Sequence, residues 1–223
     1  MKIASYNIRK ALGTDRRRDP ARILKVLNQI DADAVLLQEA DLRLGPRPTA
    51  LPRFLISQET DYEVADLAIN DVSIGWHGNA ILLRRGLEPS RLERIDLPGL
   101  EPRGAVLAEV DGVTLVGAHL GLMRRYRLQQ MTAIREHLKG RETRALIAGD
   151  FNEWSDVRGY EPWAKNFELL LPGRSYHARR PFVALDGIAH GRGLRIAEMG
   201  VESGGAARVA SDHLPIWARI EQG

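Results

Sequence analysis

The 223-residue chain is 44% hydrophobic and 27% charged, close to ordinary globular proportions, and is long enough to bury a core without disulfides or a structural metal. It has no cysteine, which excludes disulfide frameworks, thiolate nucleophiles and cysteine-based zinc sites. A formal net charge of +3 and a pI near 9.4 give a mild attraction for polyanions, although nearly all 32 basic residues are arginine, as GC-rich coding also produces.

Met1 leads directly into a strand-like run, Lys2 to Ile8. No apolar leader core follows, and no stretch approaches the ~18 apolar residues of a membrane span. The expectation is a soluble, cytoplasmic protein. Without repeats, low-complexity tracts or a linker, a single domain over 1–223 is the simplest reading.

Asp19-Pro20 predicts a helix start, with Asp19 as cap and Pro20 in the first turn. Ile23, Leu24, Leu27 and Ile30 give that helix an apolar face, and Asp31 to Asp33 end it. Ala34 to Leu37 reads as a strand buried on both faces. Segments 48–60 and 156–166 are expected to be helical. Further strands are predicted at 80–83, 105–110, 114–118, 145–148, 182–189, 195–201 and 214–220. Asp111-Gly112 signals a hairpin. A second amphipathic helix is expected over 124–138. Many strands with few helices imply an α/β arrangement of two packed sheets with helices outside.

Polar residues recur at strand ends, where rigid elements can hold a site. They are Asn7, Gln38-Glu39, His119, Asp150 with Asn152, Asp186, and Asp212-His213. Each has an ordinary structural alternative, as solvated surface, turn former or cap; the functional reading rests on their joint occurrence. Together they suit phosphoester hydrolysis. A hard cation needs a few carboxylates, for which Glu39 is the first candidate and Asp212 and Asp150 the next. An imidazole held by a carboxylate can orient and deprotonate water, and His213 with Asp186 is the natural pair.

The segments Ser5-Tyr6-Asn7-Ile8, Leu36-Leu37-Gln38-Glu39, Gly117-Ala118-His119-Leu120, Gly149-Asp150-Phe151-Asn152, Leu185-Asp186-Gly187-Ile188 and Ser211-Asp212-His213-Leu214-Pro215 resemble the endonuclease/exonuclease/phosphatase superfamily in order and spacing. The resemblance implies a four-layer α/β sandwich, two packed mixed sheets flanked by helices. It implies Mg²⁺, with Mn²⁺ as substitute, held by Glu39 with Asn7 and Asp212. It makes Asp150 and Asn152 positioners of water and phosphate, and His213 a base or phosphate contact oriented by Asp186. Whether Asp150 or His213 takes the proton stays open. His119 resembles the pancreatic-type DNase, sphingomyelinase and inositol-phosphatase branches more than the abasic-site nucleases, and could serve the leaving oxygen. Arg103 and Arg127 resemble elements of small bacterial members and are candidate substrate contacts.

The reading expects hydrolysis of a small or lipid-derived phosphoester. One alternative is a DNA or RNA nuclease, motivated by Arg16-Arg17-Arg18, Arg124-Arg125 and Arg179-Arg180; no aromatic-rich strand suggests base stacking. The other is a non-catalytic binding member. The sequence leaves the oligomeric state open.

Overall fold

In the computed structural model, which describes residues 1–155 and 158–222, apolar strands buried on both faces place alternate side chains in different cores. In β1 (Lys2–Asn7) and β2 (Ala34–Gln38), Ile3, Ala34 and Leu36 enter one core while Ala4, Tyr6, Val35 and Leu37 enter another. The same division occurs in β7 (Val113–His119) and β8 (Ala145–Asp150). Leu115, Leu146 and Ala148 face the central core, and Val116, Ala118 and Ile147 a third. Three stacked cores make four layers, so the sandwich expected from the sequence is the observed fold.

The remaining strands are β3 (Tyr62–Val64), β4 (Ala80–Arg84), β5 (Arg91–Leu97), β6 (Arg103–Val110), β9 (Phe167–Leu170), β10 (Asp186–Gly191), β11 (Leu194–Val201) and β12 (Ile216–Gln222). One sheet runs β11-β12-β1-β2-β4-β3 and the other β5-β6-β7-β8-β10-β9. Both are mixed: β1 pairs parallel with β2, and β7 with β8, while the other pairs are antiparallel.

Helix α1 (Pro20–Ile30) starts as predicted, with the Asp19 side chain accepting from the Arg22 N–H, and ends on Asp31 in the left-handed region. Such a cap contributes about 1 kcal/mol. Its apolar face, with Ile56 of α2 (Arg53–Glu59), covers the outside of the first sheet. Helix α3 (Arg124–His137) covers the second, through Met131 and Ile134. A short α4 (Ala207–Ala210) packs beside α1. Asp111 and Gly112 have φ of 51° and 71°, as a two-residue primed hairpin turn requires. Among the described residues, no helix is long and apolar enough to cross a membrane.

Several expectations need correction. Helix 48–60 contracts to α2, because Pro48 and Pro52 interrupt it and Pro52 becomes the residue before its first turn. The proposed helix 156–166 begins at Asp156-Val157, outside the described residues, and its described part, 158–166, is turns and bends. The strand expected at 182–189 starts only at Asp186, after a bridge between Tyr176 and Val183. The strand expected from Leu214 starts after Pro215, at Ile216. Strands β3, β5 and β9 were not anticipated.

Candidate active site

The strand register builds the site. Asp150 lies opposite Asp186 in the antiparallel pair of β8 and β10, and His119 lies beside Asp150 in the parallel pair of β7 and β8. Asp150 continues the row of Leu146 and Ala148, which faces the central core. Asn7 likewise continues the row of Ile3 across the sandwich. Where the apolar rows end, these polar residues occupy one end of the space between the sheets. Asn7 Nδ2 donates to Asp150 Oδ2 at 2.9 Å and joins the two sheets there.

Asp150 has further neighbours. His119 Nε2 lies 3.4 Å and His213 Nε2 3.6 Å from its Oδ2. The other nitrogen of His213, Nδ1, lies 2.8 Å from Asp186 Oδ2, which also accepts from the Ser175 hydroxyl at 2.5 Å. His213 is fixed by a bridge to Tyr176. Asn152, with φ of 51°, uses its amide to donate to the Leu120 carbonyl at 2.9 Å. Its backbone N–H donates to Asp150 Oδ1 at 3.1 Å. Thus Asn7, His119, Asp150, Asn152, Asp186 and His213 are brought together.

Glu39 follows β2 with φ of 53°. The next N–H, of Ala40, donates to the Gly78 carbonyl at 2.8 Å. Its carboxylate pairs with Lys10 and lies 4.0 Å from Arg43. Asp212 pairs with Arg9 at 3.2 Å. Arg9 and Lys10, both with positive φ, belong to one tight turn after β1. That turn brings its charges onto the carboxylates, and nothing in the sequence pattern around Ile8-Arg9-Lys10-Ala11 signals it.

Electrostatics separates the three central groups. Burial pushes the Asp150 carboxyl up to about 6, with the His213 charge opposing this and Asp186 adding to it. Burial alone would lower His213, but Asp186 and then Asp150 outweigh it and raise it to about 10. His119 is held well below its usual range by burial and next by the Arg103 charge. At neutral pH His213 is therefore an imidazolium, Asp150 an anion and His119 a neutral hydrogen-bonding group.

Two groups of side chains offer donors to a cation, and their chemistry differs. Asp150, Asp186 and His213 have ligand atoms within 4.8 Å of one another. Their shared hydrogen bond already commits His213 to Asp186, and an imidazole nitrogen is a poor ligand for magnesium. Glu39, Asp212 and the Asn7 carbonyl offer oxygen ligands only. The side-chain cations on both carboxylates mark where positive charge is favourable. These oxygens are of the donor type a hard divalent cation takes, with Asn7 Oδ1 accepting the Arg9 N–H at 3.0 Å in this structure.

Arg103 and Arg127 part company. Arg103 opens β6, is buried, pairs with Glu101 at 2.9 Å, and lines a cleft shared with Glu39 and His119. Arg127 is not at that cleft. Its guanidinium donates to Glu153 Oε2 at 2.7 Å and to the Leu122 carbonyl at 2.6 Å, and Gln130 nearby accepts the Gly121 N–H at 2.8 Å. These residues fasten the loops after β7 and β8 to α3. Arg127→Ala is expected to destabilise the fold by about 3–5 kcal/mol, because Glu153 keeps a buried charge without its partner. Urea denaturation checks this; Glu153→Gln added to Arg127→Ala should recover part of the loss.

The structure also assembles aromatics that are dispersed in sequence. The Tyr176 ring lies 5.0 Å from that of His213, and Trp154 and Phe182 stand 6.1 Å apart beside it. Both are more than half exposed. The sequence reading missed this wall because no single strand carries it.

Comparison with known proteins agrees with the geometry. The model of the Endonuclease/Exonuclease/phosphatase family matches residues 4–213. The uncharacterised protein YbhP of Escherichia coli (strain K12) is 25% identical, over 98% of this chain and 95% of its own. A functionally unknown conserved protein from Enterococcus faecalis V583 superposes with a TM-score of 0.78 at 20% identity, covering 100% of both chains. A mannosyl-6-phosphatase of Bacteroides thetaiotaomicron VPI-5482 gives 0.76 at 17%, covering 99% of both. At these identities the two structures establish likeness of fold.

Proposed function

The chain belongs to the endonuclease/exonuclease/phosphatase family and is a phosphoester hydrolase, and from that premise we propose that it cleaves a small or lipid-derived phosphoester by direct attack of water, with a divalent cation, Mg²⁺ or Mn²⁺, as cofactor. The observation that carries this reading is the convergence of Asp150, His213, His119 and Asn7 on one point between the sheets.

Glu39, Asn7 and Asp212 would hold the cation, which when bound supplies Lewis-acid stabilisation of charge on the phosphoryl oxygens. The chain's own groups divide the remaining work. Asp150, ionised above about pH 6, is the acceptor for the proton of the attacking water. Protonated His213 donates to the phosphate, held in orientation by Asp186 and, through it, Ser175. His119, neutral, donates a hydrogen bond to the leaving oxygen. Asn152 and the loop it fastens keep the Asp150 carboxylate in place.

The cleft beside Glu39, of about 360 Å³, supports a small substrate. Arg16-Arg17-Arg18, Arg124-Arg125 and Arg179-Arg180 do not line it. The test is turnover by metal-stripped protein, with Mg²⁺ or Mn²⁺ restored, on sugar phosphates, phospholipids, bis-p-nitrophenyl phosphate and supercoiled plasmid. Cleavage of small esters that stops with chelator is expected. Plasmid nicking alone would replace this reading with a nuclease, and no turnover of any substrate would leave a binding protein.

A pH profile tests the proton assignment. The rate is expected to rise about tenfold per pH unit below about 6, as Asp150 ionises, because the ionised form is the active one. It should fall again towards pH 10, as His213 loses its proton. Asp186→Asn removes the leading cause of the raised His213 pKa, so the alkaline limb should move to lower pH; the acid limb should move the same way by less, because Asp186 is a lesser cause of the raised Asp150 pKa. An unmoved alkaline limb would show that His213 does not set it.

A further inference from the structure

The cleft beside Glu39 and His119 carries four cationic side chains against three carboxylates, and two of the cations have no close carboxylate partner among the described residues. Lys10, Arg43, Arg47, Arg103 and His77 line it, together with Glu39, Asp41 and Glu101. Lys10 and Arg103 are paired with Glu39 and Glu101. Arg47 is differently placed. Its Nη1 meets the Nδ1 of His77 at 2.9 Å, and among the described residues it forms no ion pair with a carboxylate. Asp41 accepts the backbone N–H of Ile74 at 3.1 Å instead. Arg43, two-thirds exposed, reaches no carboxylate among the described residues nearer than Glu39 at 4.0 Å.

Arg103 supplies an independent observation. It is only 8% exposed, yet its Nε is buried without a hydrogen-bond partner. That nitrogen is closed off from the cleft, so a ligand oxygen there would meet the outer guanidinium nitrogens, of which Nη2 already donates to Glu101 at 2.9 Å.

The walls are also held ready. Ala40 is tied to Gly78 at 2.8 Å. Asn79 Nδ2 donates to the Gly104 carbonyl at 2.8 Å. These bonds join the segments that carry Glu39, His77 and Arg103, so the buried Arg103 and the His77 that holds Arg47 stand on fixed walls, which reduces the cost of ordering them.

We propose that this cleft is a second anion subsite, in which Arg47, Arg43 and Arg103 receive a phosphate or carboxylate that the substrate carries in addition to its scissile phosphate. The inference rests on the phosphoester reading of the Asp150–His213 site and narrows its substrate class to small molecules with two anionic groups, such as sugar bisphosphates. A polynucleotide also offers a second phosphate. Of the arginine clusters, Arg18 touches the rim through the Lys10 carbonyl, while Arg124-Arg125 and Arg179-Arg180 are not among the cleft residues, so the oligonucleotide is kept as an arm of the test.

The test compares hydrolysis of a hexose 6-phosphate, the corresponding hexose 1,6-bisphosphate and a single-stranded oligonucleotide. It uses wild type, Arg43→Ala, Arg47→Ala and the double variant, with Met199→Ala on β11 as control. Wild type is expected to favour the bisphosphate by about 10- to 100-fold in kcat/KM, the range for one or two charge-assisted hydrogen bonds. The double variant should bring that ratio near one through KM. In parallel, calorimetry in metal-free buffer measures binding of methylenediphosphonate, which should weaken by a similar factor in the double variant and not in the control. A wild-type ratio near one, or a ratio the arginine variants leave unchanged, overturns the subsite while the phosphoester reading stands. Diphosphonate binding that depends on the arginines without cleavage of either sugar phosphate upholds the subsite and overturns sugar bisphosphates as its occupant. Loss confined to the oligonucleotide assigns the subsite to a nucleic-acid strand and overturns the small-molecule proposal.

Discussion

His213→Ala is expected to lower kcat by roughly 10²–10³-fold, the range for removing one preorganised donor to developing charge, with little change in the metal concentration needed for half-maximal rate. The imidazolium is held by Asp186 at 2.8 Å and stands 3.6 Å from Asp150. Removing it deletes a fixed positive charge where negative charge builds in the transition state, and such preorganised charge is worth most in a site shielded from water. It also acts on Asp150. The His213 charge is the leading influence that lowers the Asp150 pKa, so its removal should shift the acid limb of the rate profile upward. The variant is thus slower at every pH and slower still near pH 6. Stopped-time assays across pH on the metal-restored enzyme check both effects. Near-normal turnover would exclude His213 from the chemistry. A large loss with an unmoved acid limb would leave His213 essential but separate it from the ionisation of Asp150.

The sequence made the centre of this site legible because its residues sit at ends of buried strands. There the local pattern changes abruptly from apolar to polar, as in Leu146-Ile147-Ala148-Gly149-Asp150 and Ala34-Val35-Leu36-Leu37-Gln38-Glu39. Two-sided burial leaves an uninterrupted apolar run, so β1, β2, β7 and β8 were all anticipated. The strands that were not, β3, β5 and β9, are edges of their sheets. An edge strand packs on fewer neighbours and carries charge. In β5 the sequence Arg-Leu-Glu-Arg-Ile-Asp-Leu buries fully only Ile95 and Leu97, too few for its alternation to stand out. Contacts set by loops were equally hidden. That Lys10 meets Glu39, or that Trp154, Tyr176 and Phe182 gather beside His213, depends on chain reversals between residues far apart in sequence. Arg127 shows the opposite case: a basic residue noted as a substrate contact lies buried against Glu153, because a guanidinium can hold two loops as well as it can hold a phosphate.

Glu39→Gln is expected to raise the Mg²⁺ concentration for half-maximal rate by more than about 100-fold, beyond the 10–100-fold typical of residues that merely orient a ligand. The substitution keeps shape and one oxygen but removes the charge. In the metal-free protein Glu39 faces Lys10 and Arg43; the variant leaves both cations facing a neutral amide. Their repulsion then opposes an incoming divalent ion that Glu39 had attracted, so the loss combines a missing ligand with uncompensated positive charge. Two companions separate these contributions. Lys10→Met in the Glu39→Gln background should recover part of the metal affinity by removing one opposing charge. Glu39→Asp keeps the charge on a shorter arm and should fall between wild type and Glu39→Gln. Calorimetric titration with Mg²⁺ or Mn²⁺ reads affinity directly, without turnover, and thermal melts in chelator show whether the fold is intact. Unchanged metal affinity in a folded Glu39→Gln protein would remove Glu39 as the principal ligand and turn attention to the trio of Asp150, Asp186 and His213, whose ligand atoms lie within 4.8 Å of one another.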